Sequence, residues 1–129
     1  MECTAIINST ASATLTFTSR HCDNVSRVDV QSGSHKQMFT ISDTPVDQIR
    51  IYVQDKTEGY VEITNLEVDG IDLQQCILQG KFWPDYNANY YAEHAPPKYY
   101  KPGTQWYHNG EWCLDITKPI WEYMLTNNA

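Results

Sequence analysis

Apolar residues spaced two apart, in short runs closed by turn chemistry, restrict this chain more than any other feature. Two is the period of a strand, whose successive side chains point to opposite faces. Gln48 to Val53 (QIRIYV) sets Ile49, Ile51 and Val53 on one face against Arg50 and Tyr52 on the other. Tyr60 to Val68 (YVEITNLEV) alternates again through Val61, Ile63, Leu66 and Val68. With QDKTEG as the turn between them, the two runs predict an antiparallel hairpin. Asn65 beside Leu66 shifts the alternation by one residue, the mark of a β-bulge.

The same period recurs along the chain. Thr4 to Ile7 predicts a short edge strand, and Ala13 to Thr18 (ATLTFT) alternates cleanly. Val25 to Val30 and Lys36 to Ile41 predict two more strands, separated by the turn residues QSGSHK. Asp69-Gly70 is a strong turn, after which Ile71 to Leu78 re-enters the sheet. Thr104 to Tyr107 and Glu111 to Thr117 flank His108-Asn109-Gly110, and Asn-Gly between apolar runs predicts a second hairpin. Ile120 to Leu125 closes the series as a strand, with TNNA as a tail.

About nine short strands at roughly 8–12 residue spacing predict an all-β fold. The expectation is one antiparallel β-sandwich, jelly-roll-like, spanning residues 1–129 as one domain, with a small β-barrel as the alternative. No segment repeats apolar residues at i, i+3, i+4 and i+7 over two turns, so helix is disfavoured. A chain of 129 residues can bury one core without staples.

One stretch breaks the pattern. Between Gly80 and Pro119 stand most of the rings of the chain, interleaved with Pro84, Pro96, Pro97 and Pro102. Prolines that dense exclude a long helix. A long loop of this composition either folds down as a lid or shows its rings to a partner. Trp112 alternates with Cys113 and Leu114 and so has a core face. Trp83, Tyr86, Tyr90, Tyr99, Tyr100 and Trp106 fall in backbone read as irregular, which makes them the candidate partner-binding residues. Flat rings stack on the C–H faces of sugars and also anchor protein interfaces.

Other chemistry is sparse. His21-Cys22-Asp23 has the residue types of a nucleophilic site, but neighbours along a strand point apart and cannot form a triad. No GxSxG, phosphate loop, GxGxxG or HExxH occurs. The four histidines lack metal spacing, and the four cysteines (Cys3, Cys22, Cys76, Cys113) form no CxxC pair. Glu67, Asp69 and Asp72 cluster at the turn after the predicted central hairpin, with Asp85 further on, yet nothing matches a calcium-binding loop of the EF-hand type. In so acidic a chain such a cluster reads as solvated surface, and whether calcium binds there stays open. No catalytic residue, cofactor or metal is expected.

Charge narrows the partners. Nine basic against sixteen acidic residues give a net charge of −7, which disfavours nucleic acid and anionic membrane. No apolar run reaches the roughly 18 residues of a membrane span. The N-terminal MECTAIINSTASATLTF shows no secretion signal, so reduced thiols are expected.

The order VEITNLEVDGIDL, GKFWPDYNANYY, then YYKPGTQWYHNGEWCLDITKPIWEYML resembles a small β-sandwich domain of marine cyanophage virion-associated proteins. There, a turn after VNG leads to a YP.Y segment and an NG.W…PI..W ending. The likeness covers the C-terminal part of the chain. Gln48 to Gly70 is also similar to calcium-dependent xylan-binding modules, with VEITNLEVDG where they carry tyrosine-valine-aspartate. The resemblance implies a jelly-roll-like sandwich with a non-enzymatic part in virion structure or host attachment. Together these readings lead to a binding or decoration module in the virion or host cytoplasm, contacting glycan or a neighbouring protein through the aromatic loop. The alternative is a phage-encoded intracellular protein that binds a host protein through the same loop. Self-association into an oligomer stays open.

Overall fold

The computed structural model of the chain describes residues 1–86 and 88–127. Its strands in order are β1 (Glu2–Ser9), β2 (Ala13–Ser19), β3 (Ser26–Val30), β4 (Gly33–Thr40), β5 (Val46–Gln54), β6 (Val61–Val68) and β7 (Ile71–Asp72). A 3-10 helix (Gln74–Gln79) follows, then β8 (Lys81–Pro84), α1 (Ala88–His94), β9 (Gln105–Trp106), β10 (Gly110–Thr117) and α2 (Ile120–Asn127). One sheet runs β4-β1-β6, with β7 and β9 sharing the far edge of β6; the other runs β3-β2-β5-β10-β8. All pairings are antiparallel. The result is an all-β sandwich.

Alternation explains the core. Ile49, Ile51 and Val53 of β5 and Val61, Ile63, Leu66 and Val68 of β6 are all buried. Rings from the two sheets meet between them: Phe17 lies 5.2 Å from Phe39, and Trp106 lies 6.2 Å from Trp112. The expected bulge is present, since Ile6 pairs with Asn65 and Ile7 with Ile63, leaving Thr64 extra. The four cysteines are free thiols, and burial pushes Cys3 up to about 12.

Several expectations are corrected. β5 and β6 do not pair; β5 bonds to β2 and β10, and β6 to β1 in the opposite sheet. Their apolar faces look at each other across the sandwich, a relation with the same period-two signature as a hairpin. The His108-Asn109-Gly110 turn likewise closes no hairpin, because β9 pairs with β6 and β10 with β5 and β8. Asn109 instead ties three segments: its backbone carbonyl accepts from the Asp85 N–H (2.7 Å), and its side-chain Oδ1 accepts from the Lys56 N–H (2.9 Å). β1 is central rather than an edge, flanked by β4 and β6. The run from Ile71 to Leu78 is strand only at Ile71–Asp72, then 3-10 helix.

The last run is a helix. Ile120 and Tyr123 are buried three positions apart, while Trp121 and Leu125 are exposed, so the face that packs has helical spacing. Pro119 precedes it, and its carbonyl accepts from the Glu122 and Tyr123 N–H groups. Thr126 and Asn127 extend this helix rather than fraying; Asn128 and Ala129 lie outside the described residues.

Candidate functional site

The aromatic stretch is more ordered than its prolines suggest. β8 alternates, with Phe82 buried and Trp83 exposed, and pairs with β10 through Trp112↔Phe82. Beyond Tyr86 the chain forms the short helix α1 and returns, so that Tyr100 bridges Phe82 from the free side of β8. The Phe82 N–H donates to Tyr100 at 3.0 Å and the Tyr100 N–H to Phe82 at 2.9 Å. Gly103 permits this closeness: a Cβ there would stand 2.5 Å from the Phe82 nitrogen. From Thr104 the chain crosses to the other sheet, where β9 pairs Gln105 with Glu62 and Trp106 with Val61.

This route leaves a cleft of about 610 Å³ between the returning loop and the β6–β9 edge, lined by Tyr90, Tyr100, Tyr107, Glu62, Gln105 and His108, with Pro102 and Thr104 beside them. An adjoining recess of about 240 Å³ shares Tyr90, Tyr107 and His108 and adds Tyr86, Lys56 and Asp85. The walls are braced by ring contacts. Tyr86 and Tyr90 stack at 4.9 Å and 5°, His94 stacks on Tyr90 at 4.3 Å, and His108 meets both tyrosines edge-on at 4.9 and 5.2 Å. The Tyr86 hydroxyl donates to that of Tyr100 at 2.9 Å. Burial and this contact raise the Tyr86 phenol above its usual value, so it stays neutral. Burial lowers His108, with the Lys56 charge adding to the effect, so its ring is neutral at pH 7.

The six residues picked from the sequence divide three ways. Tyr90 and Tyr100 line the cleft, and Tyr86 backs it from the recess. Trp83 and Tyr99 pack together at 4.8 Å, with the Lys81 ammonium 4.8 Å from the Tyr99 ring centre, outside the cleft lining. Trp106 is not an exposed candidate; it is fully buried, stacked on Phe82, with its indole N–H donating to the Gly103 carbonyl at 2.6 Å. Its register opposite Val61 turns it inward. That same register turns Gln105 and Tyr107 outward, and both were missed. The signal was available in the reading of Thr104 to Tyr107 as one arm of a hairpin, where period two sets Trp106 against its neighbours. Glu62 carried no such signal, because the β6–β9 pairing brings it in from a distant segment; His108 lies in the turn that follows β9.

Such a site can stack on sugar faces and hydrogen-bond to hydroxyls. Among the described residues, no group of three or more His, Cys, Asp or Glu is placed to hold a metal ion. No helix among them is long and apolar enough to cross a membrane. No sequence-family model and no curated protein matches the chain. A solved structure, vCBM60 in complex with galactobiose, superposes with a TM-score of 0.57 over 90% of this chain and 100% of that one, at 10% identity. The two share an all-β sandwich fold. At that identity the likeness concerns backbone alone; the side chains of the cleft are this protein's own.

Proposed function

We propose that the chain is a non-catalytic glycan-binding module that holds sugar in the cleft beside β9. The observation that carries this reading is the cleft wall itself. Tyr90, Tyr100 and Tyr107 offer ring surface, and Glu62, Gln105, Thr104 and His108 offer polar groups beside it. That mixture of apolar rings and a few convergent polar groups is typical of small-molecule sites. The fold shared with a module solved with galactobiose supports the same reading. The resemblance to cyanophage virion domains supports a setting on the phage particle, where glycan binding would serve attachment or decoration.

The test is titration of galactobiose and a neutral glycan array against wild type, Tyr90→Ala and Tyr107→Ala. Binding by wild type that each variant weakens, at unchanged fold, is the expected outcome. An array with no reproducible hit, or hits indifferent to both substitutions, would reject the cleft as a sugar site.

A second reading rests on Trp83 and Tyr99, which are exposed as a pair outside the cleft. In it, this side of the loop meets a neighbouring or host protein, where Trp and Tyr are favoured anchors. Trp83→Ala would then abolish capture of that partner in a pulldown while sparing sugar binding.

A further inference from the structure

We infer that the cleft discriminates by charge, accepting uncharged sugars and refusing anionic ones, with Glu62 as the specificity-determining residue. The inference rests on the glycan reading above and deepens it. Glu62 stands opposite Gln105 in the β6–β9 pairing. The Gln105 Nε2 donates to Glu62 Oε2 at 2.7 Å, and the Tyr107 hydroxyl donates to Gln105 Oε1 at 3.2 Å. This relay fixes which way the amide faces. It also braces the carboxylate against the wall of the cleft while the other oxygen, Oε1, makes no hydrogen bond among the described residues.

Among the described residues no lysine or arginine lines this cleft, and Glu62 is the one formal charge in its lining. Lys56 stands in the adjoining recess, where its ammonium donates to the carbonyls of Thr57 and Gly59 at 2.8 and 2.6 Å. An ionised carboxylate is an acceptor only. Sugar hydroxyls can donate to it, whereas a uronate or sulfate brings a second anion beside it, and the nearby Lys56 cation lies in the recess with its ammonium held on backbone carbonyls. At about 4 Å in water, that repulsion alone weakens binding by about fivefold, and more in a partly desolvated cleft.

The experiment compares calorimetric titrations of oligogalacturonide, methyl-esterified and free, together with an array of neutral, uronic-acid and sulfated glycans. These are run on wild type and Glu62→Gln at low and at physiological salt. Neutral probes should bind wild type, with the anionic ones at least about fivefold weaker; the gap should shrink at higher salt and close in Glu62→Gln. Thermal melts check that the near-isosteric variant folds. Anionic probes that bind wild type as well as neutral ones would overturn the inference and leave the glycan reading standing. So would a gap unchanged by both salt and Glu62→Gln. Failure of every sugar to bind would remove both.

Discussion

Two adjacent residues show how a single strand position separates core from site. Trp106 contributes its whole side chain to the interior, and Tyr107, one residue on, is exposed beside the cleft with its ring 5.6 Å from that of Tyr60. Trp106→Ala should therefore cost about 3–5 kcal/mol, read from denaturant unfolding, as large aromatic deletions in packed interiors do. A loss within about 0.5 kcal/mol, the range of surface sites, would contradict the burial. His108 adds a dependence on acid. Because burial lowers it from 6.5, the unfolded chain takes up a proton at pH values where the fold still refuses it. His108 thus leaves stability unchanged above that pH and erodes it as pH falls through about 6.5 toward the folded value. Melts of wild type and His108→Gln across this window should diverge on the acid side, with wild type losing more; parallel curves would show that the ring is not desolvated.

At the scale of elements, period two said which residues turn inward but not which strand lies alongside. Ile49 to Val53 and Val61 to Val68 would alternate identically as hairpin partners or as opposed faces, and they are opposed. The short final run was ambiguous for another reason. In IWEYML the burial of Ile120 and Tyr123 follows helical spacing, yet six residues are too few to show two turns of it. The bulge and the Asp69-Gly70 turn were legible because each is set by a local residue choice. The meeting of Glu62 with Gln105 was not, since the β6–β9 pairing that unites them joins distant segments. Gly110 illustrates a constraint of the same long-range kind. A Cβ there would lie 2.3 Å from the Trp83 carbonyl oxygen, so β8 and β10 can pair only with glycine at this point. Gly110→Ala should destabilise by about 1–3 kcal/mol in chemical unfolding, as overpacking does. An unaltered midpoint would mean that β8 yields without cost.

Across the whole molecule, both sheets feed one interior, and its stability should depend on both. Ile51 faces inward from one sheet and Ile63 from the other, each with at most 1% of its surface exposed. Changing either to alanine should cost about 2–5 kcal/mol in equilibrium unfolding. A large loss at one and none at the other would mean that the sheets unfold separately. The order in which strands sit side by side has a further consequence, for time rather than stability. Among the described residues only β2–β3 and β6–β7 pair with their neighbours in the chain; β1 waits for β4 and β6, and β5 waits for β10. Loops must close before such contacts form, which puts refolding in milliseconds to seconds rather than microseconds, measurable by stopped-flow fluorescence of the buried tryptophans. During synthesis the delay takes a spatial form. Until Trp106 and Trp112 have emerged from the ribosome, β5 lacks its β10 partner and β6 its β9 partner, so the nascent chain carries open strand edges long after both strands have been made.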